Sequence, residues 1–147
     1  MTRAEGFTLI ELLIVLVVVG ILASLGFSNF LNAQRGAQLR EASAQFTADL
    51  QRARSAAQRY NQDAGLVLDK DKGASSYTLT IDGNTVVRQL PHGAEVSMVG
   101  NNGNGVTYNA PYGEVNVGDT SFTLSSERTQ EVRTVRVIGV TGKVISQ

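Results

Sequence analysis

A carboxylate inside an apolar run is the first feature of this chain whose type and position demand a chemical explanation. Glu11 lies within residues 7–27, where Thr8, Glu11 and Ser24 are the polar members. Placing a carboxylate in hydrocarbon costs on the order of 2.5 kcal/mol or more, so Glu11 needs a partner or a purpose. No Lys or Arg stands between Phe7 and Gln34 to neutralise it. Cleavage after Gly6 would create the missing cation, because Phe7 would gain a free α-amino group, protonated near neutral pH, one helical turn from Glu11. Two pairings are then open. The carboxylate meets the amine of its own chain, or it meets that of a neighbouring copy, where the cost of an unpaired buried charge would bias helix register.

The other residues with chemical potential lead to no reaction. Asp69, Asp71 and Gly73 form a short acidic turn of the kind that suggests calcium. The turn lacks the longer ligand array and distal Glu of an EF-hand loop, and Lys70 and Lys72 lie among its carboxylates, so it reads as a solvated turn. His92 sits between Pro91 and Gly93 in a predicted loop, and the chain holds one His and no Cys to complete a metal site. None of the serines stands in a recognisable nucleophile motif. The expectation is a protein with no catalytic centre, no cofactor and no metal. Thirteen basic and thirteen acidic side chains leave no net charge, which excludes a strong bulk field towards nucleic acid or anionic lipid.

The elements that must position Glu11 begin with residues 7–27. As a helix rising about 1.5 Å per residue they would reach roughly 30 Å, enough to cross a hydrocarbon core. Arg3 and the amino terminus favour a cytoplasmic location for the preceding end, with the rest of the chain facing outward. A removable secretory signal is the competing reading, since Ser24 and Gly26 imitate a small-x-small cleavage site. Against it, the apolar run exceeds the usual core of about 7 to 15 residues and an acid interrupts it.

Residues 28–64 are predicted to continue as an amphipathic helix. Leu39, Ala42, Phe46, Leu50, Ala53, Ala57 and Tyr60 recur at steps of three or four, which gathers them on one face. Arg40, Glu41, Gln45, Asp49, Arg52 and Arg59 fall on the other, expected to meet water. Gly65 is the predicted stop. From there to residue 147 the pattern changes to short runs rich in Val, Thr and Tyr. Residues 77–81 and 85–89 flank Asp82-Gly83-Asn84, a hairpin signal. Further strands are expected at 95–99, 106–108, 121–124, 132–140 and 143–145. The glycine-rich stretch Gly100-Asn101-Asn102-Gly103-Asn104-Gly105 reads as a mobile loop or as a contact with a neighbouring subunit. The fold class is α+β: a long N-terminal helix whose second half packs on an antiparallel sheet or small β-sandwich.

The string Gly6-Phe7-Thr8-Leu9-Ile10-Glu11-Leu12-Leu13, set directly before a membrane-length apolar run, resembles the processing site of type IV prepilins and type II secretion pseudopilins. The resemblance implies that residues 1–6 are a leader removed by a prepilin peptidase, that Phe7 is then N-methylated, and that Glu11 recruits and registers subunits. It also implies helix loosening at Gly20, with Gly26 a second weak point, since glycine is a poor helix former. Close helix contact is the alternative use of both glycines. Residues 46–57 with Arg59, Tyr60 and Asn61, the stretch Thr107-Tyr108-Asn109-Ala110-Pro111-Tyr112-Gly113, and the segments 135–137 and 141–144 resemble GspH/FimT-type minor pseudopilins. The implied protein is a minor pilin or pseudopilin held in the cytoplasmic membrane by a single pass. Its implied partners are other pilin or pseudopilin subunits, in a periplasmic or cell-surface filament.

Some minor pilins of this kind serve DNA uptake through a basic C-terminal Gly-Arg-x-Arg motif. The matching stretch here is Gly142-Lys143-Val144-Ile145, which keeps one basic residue of the two. If DNA were the partner, Lys143 would be joined by Arg128, Arg133 and Arg136. However, Glu127 and Glu131 lie among these, and Arg133 and Arg136 have opposite strand parity. A third reading keeps the helix as a plain anchor for a membrane-tethered module.

Overall fold

A computed structural model of the chain describes residues 7–70, 73–99, 104–115 and 118–147. One helix, α1 (Leu9–Tyr60), is followed by eight strands: β1 (Ala64–Leu68), β2 (Ser76–Ile81), β3 (Asn84–Gln89), β4 (Ala94–Val99), β5 (Gly105–Tyr108), β6 (Thr120–Ser126), β7 (Thr129–Ile138) and β8 (Lys143–Ser146). The chain divides into two compact units, residues 1–34 and 35–147.

In the first unit the helix is apolar on every side. Its most apolar stretch has a mean hydropathy of 2.8 and is exposed throughout, so by length and composition it can cross a membrane. A helix apolar all round has no solvated face, and lipid or other helices are the environments that suit it.

The second unit holds the core. Its strands form two four-stranded antiparallel sheets, ordered β3-β2-β1-β5 and β4-β6-β7-β8. Leu39, Ala42, Phe46, Leu50, Ala53 and Ala57 of α1 are fully buried, at the spacing that puts them on one helix face. Alanines in that stripe let the backbone come close to the strands. Phe46 is central: its ring meets Tyr77 of β2 edge-on at 5.2 Å between centroids and Phe122 of β6 at 5.1 Å, joining helix and both sheets. Such edge-to-face pairs add about 0.5–1.5 kcal/mol each beyond area burial. Leu66, Val96, Val106, Leu124, Val135 and Val137 complete the packing from the strands.

The β2–β3 hairpin closes through Asp82 and Gly83, both at positive φ (52° and 72°). Two consecutive residues in that region form the type I′ turn whose twist matches paired strands. Ala74 links the two sheets through an isolated bridge to Val96.

Several expectations are corrected. The helix ends at Tyr60, and Asn61 takes the left-handed conformation (φ 53°) that closes helices. Gly65 lies in β1, where a Cβ would come within 2.5 Å of the Val106 carbonyl oxygen, so the neighbouring strand's close approach explains that glycine. Tyr60 is 45% exposed and leaves the buried stripe, because the helix is already ending there. Asp49, placed on the solvated face by its charge, is buried among partners from the first sheet. The strand expected over 132–140 starts at Thr129 and stops at Ile138. Val140 sits in a turn at φ 64° and bridges to Val115 instead. Gly6, Asp71 and most of the glycine-rich loop (residues 100–103) lie outside the described residues.

Candidate functional site

Among the described residues Glu11 meets neutral partners. Its Oε2 accepts hydrogen bonds from the Thr8 backbone N–H (2.9 Å) and the Thr8 hydroxyl (2.8 Å). Thr8 Oγ1 in turn accepts from the Glu11 N–H at 3.3 Å. With Leu9 the first helical residue, this is a capping box: a Thr at the N-cap and a Glu three residues on satisfy each other's backbone donors. The Thr8-x-x-Glu11 spacing carries that signal in the sequence, and a search for a cation alone overlooks it. The consequence is orientation. The carboxylate is folded back towards Phe7, which is 87% exposed just outside the helix. An anion at the helix start is also favoured by the partial positive charge of the unpaired N–H groups there.

Gly20 lies within the helix, and a Cβ there would touch nothing within 4 Å. Gly26 is inside the same helical span, so α1 is unbroken at both glycines in this chain. The Thr8–Glu11 cap and the apolar helix surface beyond it are both exposed.

In the second unit the β7–β8 register sets Arg136 and Lys143 on one face of the second sheet, since Ile138 pairs with Lys143, and Arg133 on the other. Arg133 lines a groove with Arg40, Ser43 and Gln51 of α1, and its guanidinium is 3.8 Å from Glu131. Arg136, on the opposite face of β7, lies 3.4 Å from Asp119. Arg128 stands in the β6–β7 turn, and Lys143 is exposed at the start of β8. Alternation along β7 separates the two central arginines, and each has an acid beside it.

Sequence reading also missed a buried polar cluster that ties α1 to the first sheet. The Tyr77 hydroxyl donates to Asp49 at 2.8 Å, and Gln45 donates to Tyr77 and to the Gln89 carbonyl. Arg52 and Arg88 approach the Asp49 carboxylate at 3.4 and 3.7 Å. Burial and the neighbouring Asp49 charge push the Tyr77 phenol above its ordinary range, and burial does the same to Tyr108. The Tyr108 hydroxyl has no partner among the described residues. His92, at φ 60° in the Pro91–Gly93 turn, pairs with Glu41 at 2.9 Å. Neither Asp69 nor His92 belongs to a cluster of three metal-ligating side chains among the described residues.

Comparison with protein families matches residues 42–142 to the type II transport protein GspH and residues 1–27 to the prokaryotic N-terminal methylation motif. No curated protein and no solved structure matches. The first match covers more than half of the chain, including the buried half of α1 and most of both sheets; the second covers Gly6, Phe7, Glu11 and the apolar run. The chain belongs to the GspH family and is a structural subunit of the pilin and pseudopilin type.

Proposed function

We propose that this protein is a minor subunit of a type II secretion pseudopilus or type IV pilus, processed after Gly6, N-methylated at Phe7 and assembled through its N-terminal helix. The observation that carries this reading is the methylation motif joined to an exposed apolar helix and a GspH-type domain. Before assembly the helix would hold the precursor in the cytoplasmic membrane, its amino terminus on the cytoplasmic side and its β-rich domain outside. A prepilin peptidase would cut the leader, exposing an α-amino group at Phe7 within reach of the capping box.

Thr8 gives Glu11 its second role. In the precursor its N–H and hydroxyl satisfy a carboxylate that would otherwise lie bare in lipid, where no water can do so. After cleavage the carboxylate is already turned towards the new terminus of its own chain or, in a bundle, of a neighbour. Leaving lipid for a bundle of helices shelters apolar surface in both states, so specific pairing has to favour the filament. Glycines at 20 and 26 would let the helix loosen or let neighbours pack closely.

Glu11→Ala tests this mechanism in cells that make the native filament. The variant is expected to be inserted and processed but absent from sheared filaments. A plain anchor would tolerate Ala or prefer it, and normal incorporation would reject the proposed role.

A further inference from the structure

β3 is exposed on both faces and along one edge. All six of its residues are exposed, including Val86 (50%) and Val87 (68%). The hairpin register pairs Ile81 with Asn84, Leu79 with Val86 and Tyr77 with Arg88. In an antiparallel ladder closed by a two-residue turn these alternate pairs exchange the hydrogen bonds, so the N–H and C=O of Thr85 and Val87 point away from β2. Neither residue's backbone groups meet another partner among the described residues. Edge strands are normally blunted by lysine, proline, a bulge or a cover. The edge at β4 has such a cover, since Ala74 exchanges both backbone hydrogen bonds with Val96. Among the described residues β3 has no lysine, proline, bulge or cover, and its one charge, Arg88, is drawn to Asp49; it reads Asn-Thr-Val-Val-Arg-Gln, with three β-branched residues in a row.

The surface beside this edge has a sign. On the helix-facing side, Val86 and Arg88 line a groove with Arg52 and Tyr60 of α1, and an adjoining groove adds Arg59. Arg52 and Arg88 share the single Asp49 carboxylate and remain 60% and 44% exposed, and Asp82 is the other acid on these walls. Three guanidiniums therefore face two carboxylates, one of them buried. A strand added to β3 would place alternate side chains against Arg88 and Arg52, and the intervening ones beside Val87.

We propose that β3 is a strand-addition site for an extended segment of another polypeptide in which acidic and apolar residues alternate. Main-chain bonds to Thr85 and Val87 supply the affinity, and the guanidiniums supply the choice of partner. The site lies at Asn84–Gln89, outside the leader and the apolar helix, so it is testable on the purified full-length precursor in detergent.

The probe is a blocked heptapeptide of alternating valine and glutamate, with valine–lysine as its counterpart. At saturation the amides of Thr85 and Val87 are expected to slow in hydrogen exchange, and the lysine peptide to bind at least tenfold more weakly. Val87→Pro removes a donor that β2 does not use and should weaken binding at least tenfold. Val87→Glu, which sets a carboxylate against the acidic peptide, should do the same with every backbone N–H retained, should the proline variant fold poorly. Unchanged exchange at Thr85 and Val87, or equal binding of both peptides, overturns the proposal. Protection that rises with protein concentration alone identifies a second copy as the occupant and overturns the acidic partner.

Discussion

Residues 9–22 and residues 39–57 are parts of one helix, yet the first stretch buries nothing and the second supplies the centre of a core. Leu12, Ile14 and Val18 are about half exposed or more, whereas Leu39, Phe46 and Leu50 have almost no accessible surface. The difference lies in arrangement more than in residue type. Around the first stretch apolar side chains point in every direction, and no single partner face can cover them. In the second they form a stripe relieved by alanines, with charge elsewhere, which is what a pair of sheets can cover. One stretch is made for an environment, lipid or other helices; the other is made for its own domain.

The sharpest way to break that contrast is Phe46→Ala, which removes a ring held between Tyr77 and Phe122. Loss of about 3–5 kcal/mol is expected in urea unfolding of the β-rich domain. Ile14→Ala should leave that unfolding unchanged within about 0.5 kcal/mol. Equal effects would mean that the N-terminal stretch contributes to the domain's core after all.

Alkaline pH gives the next effect. Tyr77 and Tyr108 are held neutral in the folded domain, above the ordinary phenol value of 10.0. Between that value and the raised folded one, the folded state binds more protons than the unfolded state. Stability is therefore full below about pH 10 and falls as pH rises, by up to about 1.4 kcal/mol per pH unit for each tyrosine. Urea titrations between pH 8 and 11 read this directly, and a flat profile would show that neither phenol is held neutral.

The two tyrosines should separate under substitution. Tyr77→Phe removes the donor to Asp49 and leaves a buried carboxylate short of a partner, at a cost of about 1–3 kcal/mol. Tyr108→Phe removes a hydroxyl without a partner and should be neutral or stabilising by up to about 1 kcal/mol. The smallest effect is expected for His92→Ala, which loses a largely exposed pair with Glu41 and should cost less than about 1 kcal/mol in the same assay.

What the sequence discloses follows from the range of each interaction. Helix face and hairpin are local patterns, so the stripe from Leu39 to Ala57 and the Asp82-Gly83 turn are legible from spacing alone. Asp49 is not, because its hydroxyl partner lies 28 positions away and nothing beside Asp49 marks it as buried. Gly65 looks like a helix stop when read by residue type, while its real constraint is the Val106 carbonyl across the sheet. Around Glu11 both kinds of information coincide. The need for a partner is visible in the apolar run, and Thr8, three residues before, answers it with a neutral cap. The two-sheet arrangement and the exposure of β3 depend on strand order, which no local spacing encodes.

The proposed maturation is read at the amino terminus, by peptide mass spectrometry of the protein isolated from its native cells. The mature chain is expected to begin at Phe7 and to carry one methyl group on its α-amine. An intact Met1 in functional protein, or a terminus just after Gly26, would contradict it and reduce the apolar helix to an anchor or a discarded signal.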